Sequence, residues 1–161
     1  MPVIDYIACA DGIHPARVAG AEVAVIDLLR ATTTIGAALA SGALSIMPVA
    51  TLDEAKRRAE AMRREGRRIV LAGERRGLKP PGFDRGNSPR EFVSGLRRSE
   101  VVMCTSNGTR ALVQSRRADR VLAVCLNNLG AAVRILIRRR WRRLIIVAAG
   151  ERGRAADEDT L

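Results

Sequence analysis

The sequence predicts a three-layer α/β/α domain with a largely parallel or mixed central sheet. Short apolar runs that suit buried strands alternate with segments whose apolar residues recur at helical spacing. Polar side chains follow several of these runs, and parallel α/β sheets bind their ligands at the carboxyl ends of strands. At 161 residues, the chain is long enough to bury the core of one domain. We therefore expect residues 1–161 to form a single α/β domain.

The first half of the chain alternates strand and helix. Apolar runs predict strands at residues 2–8, 23–26, 44–49 and 69–72. Residues 11–20 read as a loop because they contain two glycines and a proline. Thr51 and Glu54 predict a capping box at the start of the helix after the third strand, and Gly66 ends that helix.

The second half continues the alternation after a long polar segment. Residues 73–89 are too rich in Gly and Pro for regular structure, and their charges suggest a functional loop. Ser88 and Glu91 predict a second capping box. Further strands are expected at residues 101–104, 121–125 and 144–148, and one helix begins near Arg110. Another helix follows residues 127–128, with inward-facing apolar residues at positions 132, 135 and 136.

Composition limits the classes of partner. The net charge of +11 allows a basic RNA-binding module, with arginines clustered at residues 58–68 and 138–143. We favour solvated helix faces and no nucleic-acid partner, because the chain has one Trp, one Tyr and two Phe to stack on bases. No apolar run approaches the roughly 20 residues of a membrane span, and the amino terminus lacks signal-peptide features. We therefore expect a cytoplasmic protein with no membrane partner.

The stretch from Glu22 to Ala38 contains the first candidate site. Asp27 ends a buried strand, and Arg30 and three threonines stand where the following helix begins. Helix-terminal amides, hydroxyls and a guanidinium suit a phosphate or sulfonate. The Asp27 carboxylate would repel that anion unless a divalent metal lay between them. The local alternative is that Asp27 and the threonines only cap backbone amides.

Cys104 and Arg110 offer a different chemistry. Their C-x5-R spacing, between a predicted strand and helix, matches a thiolate nucleophile whose loop amides and arginine hold phosphate oxygens. The spacing is weakly specific, because arginine is frequent in this chain and the loop has a single glycine. The alternative is an inert, buried thiol. Cys9, Cys104 and Cys125 are widely separated, which argues against a zinc site or a disulfide framework.

Four motifs in order resemble the 2-phosphosulfolactate phosphatase family. They are VIDLLRATTTIGAALASGA, LAGERRGLKPPGFDRGNSPREF, TSNGTRAL and the terminal EDTL. The resemblance runs from about Val23 to the end of the chain. It implies an α/β phosphatase that depends on Mg²⁺ and hydrolyses 2-phosphosulfolactate to sulfolactate and phosphate, a step of coenzyme M biosynthesis or sulfolactate metabolism. The implied partner is a small anionic substrate, and whether copies of the chain form a homo-oligomer stays open.

The resemblance also distributes the site over four loops. From it we predict Asp27, Glu74 and Asp159 as magnesium ligands or water-orienting bases, since Mg²⁺ prefers a few carboxylates plus water. The predicted substrate-binding residues come from three motifs: Arg30, Thr32, Thr33, Thr34, Arg75, Asn87, Ser88, Asn107, Gly108 and Thr109. No residue is assigned as the general acid.

Two departures from the family pattern stand out. The third motif usually begins with threonines, where this chain has Cys104 and Ser106. Family members also continue for several dozen residues past the EDTL motif, so we expect the domain to be truncated at its C-terminal end and the sequence to be a fragment.

Overall fold

The computed structural model of the chain describes residues 1–139 and 141–160. Arg140 of the basic segment and Leu161 of the terminal motif lie outside these residues. The described residues form seven strands: β1 (Val3–Ile7), β2 (Glu22–Ile26), β3 (Ser45–Pro48), β4 (Ile69–Gly73), β5 (Glu100–Cys104), β6 (Arg120–Val124) and β7 (Arg143–Ala148).

Helices connect these strands. They are α1 (Pro15–Val18), α2 (Ala31–Ala40), α3 (Leu52–Arg64), α4 (Gly108–Gln114), α5 (Leu129–Arg138) and α6 (Asp157–Thr160). Short 3-10 helices cover Ala10–Gly12, Pro89–Phe92 and Leu126–Asn128. Within the part of the chain that the structure describes, no helix has the length and apolar character needed to cross a bilayer.

All strand pairs are parallel, and they form two sheets. The four-stranded sheet has the order β1-β7-β2-β6, and the three-stranded sheet has the order β3-β5-β4. The predicted α/β class is confirmed, but the strands are divided between two sheets instead of sharing one central sheet. Helix α2 contacts β6 and β3, and α4 contacts β2, β3 and β5. These two helices therefore join the sheets.

The core explains why two helices can lie between two sheets. Ala111 of α4 packs with Val25 and Ile145 on one face of the four-stranded sheet. Ile35 of α2 packs with Met103 on the three-stranded sheet. The outer faces are covered by α5 and α3, respectively. Apolar side chains on α2 and α4 are therefore buried against different sheets. The spacing of apolar residues along one helix does not show which sheet that helix packs against.

Local signals at helix starts had mixed outcomes. The Thr51 cap is confirmed, because the Glu54 amide donates to its Oγ1 at 3.2 Å. The capping box predicted at Ser88 is wrong. Its side chain makes no capping hydrogen bond, and the Glu91 carboxylate instead accepts from the Gly86 amide at 2.8 Å. The Glu91 carboxylate therefore holds the loop that precedes the 3-10 helix and does not cap the helix start.

Other element boundaries and faces also differ from expectation. The segment 11–20, predicted as loop, contains α1 and the end of a 3-10 helix. Helix α4 begins at Gly108, two residues before the predicted start. In α5, Ala132 is buried as predicted, but Ile135 is 38% exposed and does not face inward. Only one narrow stripe of α5 contacts the sheet.

Removing the Phe92 ring is expected to destabilise the fold. Phe92 is fully buried between α2 and the three-stranded sheet, so Phe92→Ala should lower the free energy of unfolding by about 3–5 kcal/mol. The neighbouring Val93 is 72% exposed, and Val93→Ala should change it by less than about 0.5 kcal/mol. Urea denaturation of both variants measures the difference. Equal losses would contradict the assigned core.

Candidate active site

A cavity of about 430 Å³ lies at the carboxyl ends of the strands. The loops that follow β2, β4, β5 and β7 contribute to its wall, together with the segment after β1. Among the residues that the structure describes, six carboxylates line it, from Asp11, Asp27, Glu74, Glu151, Glu158 and Asp159. Four arginines of the same described residues also line it: Arg30, Arg76, Arg110 and Arg152. The cavity therefore combines groups that bind cations with groups that bind anions.

Asp27 lies at the start of two helices. Its Oδ1 accepts from the Ala31 amide of α2 at 3.0 Å, and the carboxylate also accepts from the Gly108 amide of α4. Thr32 holds the Asp27 backbone, with its Oγ1 donating to the Asp27 carbonyl at 2.7 Å and accepting from the Asp27 amide at 3.1 Å. Amides at the helix starts were expected to bind a ligand anion. Those of Ala31 and Gly108 instead donate hydrogen bonds to a carboxylate of the protein.

Asp159 closes the cavity from the other end of the chain. Its Oδ1 accepts from the Leu28 amide at 2.8 Å, and its Oδ2 accepts from the Gly150 amide at 3.2 Å. These contacts bring α6 against the loop that follows β2. The Asp159 charge also acts on Asp27 and raises its pKa. The first and last motifs of the chain therefore meet at one carboxylate pair.

Glu74 connects the loops that follow β4 and β5. Its Oε1 accepts from the Ser106 amide at 2.6 Å, and its Oε2 accepts from the Gly77 amide at 2.8 Å. The Ser106 hydroxyl donates to the same Oε2 at 3.2 Å. The serine that departs from the family pattern is therefore a hydrogen-bond partner of a predicted site carboxylate.

Burial sets the protonation behaviour of the carboxylate pair. It raises the pKa of Asp27 to about 6, and the hydrogen bonds from Ala31 and Gly108 only partly oppose this shift. Burial likewise raises the pKa of Asp159 above its usual value. Two neighbouring buried carboxylates are costly to ionise together, so a cation between them would stabilise the charged pair.

The carboxylate pair fits a magnesium ion bound with water. Mg²⁺ usually takes one or two carboxylates and completes its shell with water and phosphate oxygens. Among residues 1–139 and 141–160, no group of three or more His, Cys, Asp or Glu side chains is placed to hold a metal. The predicted ligand set of Asp27, Glu74 and Asp159 therefore stays a prediction.

The structure brings only part of the predicted substrate set to the cavity. Arg30, Asn87 and Asn107 line it. The other predicted residues do not appear among the lining residues: Thr32, Thr33, Thr34, Arg75, Ser88, Gly108 and Thr109. The threonine hydroxyls of this group donate to backbone carbonyls instead.

Two of these threonines show how the hydroxyls are used. Thr34 Oγ1 donates to the Asn87 carbonyl at 3.1 Å and so fixes the segment that carries the Asn87 side chain to the cavity. Thr109 Oγ1 accepts from the Thr105 amide at 2.7 Å. Both threonines are fully buried. Their effect on a ligand is therefore through the position of neighbouring residues.

Cys104 does not form the C-x5-R phosphate site. Its side chain is fully buried, and burial raises the pKa of the thiol, although Arg75 lies close and opposes the shift. The Arg75 guanidinium is 3.5 Å from the Cys104 Sγ. Arg110, the partner that the spacing suggested, forms an ion pair with Asp11 instead. The thiol and its expected arginine are thus in different places.

Several residues of the cavity wall were not predicted from the sequence. Asp11 lay in a segment read as loop, and Arg76, Glu151 and Arg152 were assigned no role in the site. A signal was available, because Ala72–Arg75 and 149–152 share the sequence AGER at the ends of β4 and β7. An internal comparison of the strand ends would have drawn attention to both turns.

The fold and the cavity define a parallel α/β protein with a carboxylate- and arginine-lined site at its strand ends. Residues 8–161 match the family model described as 2-phosphosulpholactate phosphatase. The chain belongs to this family.

Relatives in three genera support the same assignment. The chain is 42% identical over 137 residues to a probable 2-phosphosulfolactate phosphatase of Pseudothermotoga lettingae, covering 85% of this chain and 57% of the relative. It is 38% identical over 160 residues to a protein of the same description from Clostridium perfringens, covering 97% and 63%. For one from Synechococcus sp., identity is 42% over 149 residues, covering 92% and 60%. The chain thus spans about three fifths of these relatives' lengths.

A side chain at position 108 is expected to disturb the Asp27 site. A Cβ on Gly108 would lie 2.4 Å from Asp27 Oδ2 and 2.5 Å from the Ala31 Cβ, so Gly108→Ala should destabilise the protein by about 1–3 kcal/mol. Gly130 of α5 has only the end of the Arg134 side chain nearby, at 3.5 Å. Gly130→Ala should be neutral or stabilise by up to about 1 kcal/mol. Thermal denaturation compares them, and a neutral Gly108→Ala would contradict the close approach.

The raised pKa of Asp27 predicts a pH-dependent stability. The folded state binds this proton more tightly than the unfolded state, so the stabilisation is complete below about pH 4 and is lost as the pH rises through about 6. In Asp27→Asn, the free energy of unfolding should fall by about 2–3 kcal/mol less over this pH range than in the wild type. Asp119 is exposed, and Asp119→Asn is the control. Melting temperatures across this pH range, measured with EDTA, test the prediction. A decline as steep in Asp27→Asn as in the wild type would contradict it.

Proposed function

We propose that this chain carries the active site of a magnesium-dependent phosphatase that hydrolyses 2-phosphosulfolactate to sulfolactate and phosphate. The observation that carries the proposal is the buried pair of Asp27 and Asp159, with raised pKa values, in a cavity that also holds four arginines. Membership of the 2-phosphosulpholactate phosphatase family supports it. So do the names of the relatives.

Asp27 and Asp159 would hold the magnesium ion. When bound, Mg²⁺ polarises phosphate oxygens and makes bound water more acidic. The protein contributes rigidity, because each carboxylate is already oriented by backbone amides and needs little reorganisation on binding. Glu74 is fixed in the same way and stays a predicted third ligand or water-orienting base.

The remaining polar groups suit the anionic parts of the substrate. Arg30 and Asn107 lie on loops that also contact the Asp27 carboxylate, so we assign them to the phosphate oxygens. Asn87 is buried to 6% exposure at the cavity wall, and its Nδ2 group carries two N–H donors that an anionic oxygen can accept. We infer that its amide group contributes donors to the substrate.

The wider setting follows from the proposed reaction. We infer a cytoplasmic enzyme of coenzyme M biosynthesis or sulfolactate metabolism that acts on a small anionic molecule and has no nucleic-acid partner. Arginines of the basic α3 region are engaged in the fold, as shown by the Arg63–Asp84 pair at 2.5 Å and the Arg67–Glu100 pair at 2.5 Å. Such pairing reduces the charge available to a polyanion.

Phosphate release from 2-phosphosulfolactate tests the proposal. Activity should stop with EDTA and return with Mg²⁺, and Asp27→Asn should lower kcat/KM by at least about 100-fold. Cys104→Ser is the matched control and should keep most of the activity, because Cys104 is buried in the core. Activity that resists EDTA and disappears in Cys104→Ser would overturn the magnesium mechanism.

A further inference from the structure

Two turns of the same construction border the cavity. After β4, Arg75 and Leu78 exchange backbone hydrogen bonds of 2.9 and 3.2 Å. After β7, Glu151 and Arg154 exchange two of 2.9 Å. Each pair encloses an arginine followed by a glycine. Because β4 and β7 belong to different sheets, the two turns approach the cavity from different parts of the fold.

The central residues of both turns have left-handed backbone conformations. Arg76 has φ 55° and Gly77 has φ 78°, while Arg152 has φ 50° and Gly153 has φ 76°. Positive φ at both central positions is the type I′ arrangement, in which Gly, Asn or Asp is favoured. An arginine at the first position is strained relative to these residues. Arg98 also has a positive φ, of 61°, and Arg76 and Arg152 differ from it because they line the cavity.

Both arginines are available to a ligand. Arg76 and Arg152 are exposed and line the cavity. Within the described ranges 1–139 and 141–160, Arg76 forms no ion pair, and Arg152 has only the largely exposed Glu151 at 3.6 Å. Exposed pairs of this kind are weak. The guanidinium groups can therefore turn to an anion at little cost.

The other two cavity arginines have different positions. Arg30 belongs to the loop that contains Asp27, which places it with the phosphate in the proposed reaction. Arg110 is paired with Asp11. Asp11 also lies against the second turn, because a Cβ on Gly153 would be 2.4 Å from its Oδ2. Arg76 and Arg152 are thus left as the cations for a second anionic group.

We propose that Arg76 and Arg152 are specificity residues that bind a second anionic group of the substrate, a carboxylate or a sulfonate, away from the phosphate. The planar guanidinium matches both groups with paired hydrogen bonds. The inference rests on the proposed phosphatase function and assigns two specificity residues to that reaction. Their loss should affect phosphate monoesters that carry a further acid group more than monoesters without one.

The left-handed turns allow a sharp test. Arg76→Asn and Arg152→Asn remove the guanidinium and introduce a residue that the turn favours, so neither variant should lower the melting temperature. Arg98 is the matched control, since it is also exposed, has φ 61° and does not line the cavity. Arg98→Asn should leave the kinetics unchanged.

The kinetic measurement compares 2-phosphosulfolactate, 2-phospholactate and isopropyl phosphate. Each cavity variant should lower kcat/KM for 2-phosphosulfolactate by about 10- to 100-fold, mainly through KM, and much less for isopropyl phosphate. A comparable loss on 2-phospholactate identifies the carboxylate as the bound group, and little loss identifies the sulfonate. An equal loss on all three substrates, or none, would overturn the inference.

A binding measurement separates this inference from the proposed reaction. Calorimetric titration with sulfolactate, which lacks the phosphate, should show binding to the wild type that weakens about 10-fold or more in each cavity variant. Wild-type protein that hydrolyses none of the esters would refute the proposed function, while weakened sulfolactate binding in the variants would still support the inference. Absence of binding, or binding equal in all variants, would overturn it.

Discussion

Hydrogen bonds from backbone amides to buried carboxylates hold the candidate site together. Glu74 joins the loops after β4 and β5, and Asp159 joins the loops after β2 and β7. Asp27 follows β2 of the four-stranded sheet and accepts from Gly108, which follows β5 of the three-stranded sheet. Asp27 thus ties together loops from the separate sheets, while Glu74 and Asp159 each join two loops of one sheet.

This way of fixing loops has an electrostatic cost. Amides and helix N-termini favour the charged form of Asp27, but burial outweighs them and leaves its pKa raised to about 6. A protein built only for stability would avoid two such acids side by side. Their retention is consistent with a site whose charge is balanced only when a cation is present. The arginines that line the same cavity carry the opposite charge.

Features that depend on near neighbours could be predicted from the sequence. The alternation of strands and helices and the Thr51 cap rest on residues a few positions apart, and both were correct. The division into two sheets could not be predicted, because apolar periodicity does not say which sheet a helix covers. The Asp11–Arg110 pair joins residues 99 positions apart, which no local pattern predicts.

Part of the site could also be predicted. The structure places six of the predicted residues together at the cavity: Asp27, Arg30, Glu74, Asn87, Asn107 and Asp159. The predicted Arg75 contacts Cys104, while Arg76 lines the cavity. The handedness of the turn decides which of these two adjacent side chains reaches the cavity.

The tight packing around Gly108 also limits how chains of this kind can diverge. The Asp27 carboxylate and the Ala31 methyl group occupy the space that a Cβ on residue 108 would need. A larger residue at 108 would first require a smaller or displaced group at one of the other two positions. Homologous chains that depart from glycine here should therefore show compensating changes at those same sites, so these three positions should covary through evolution.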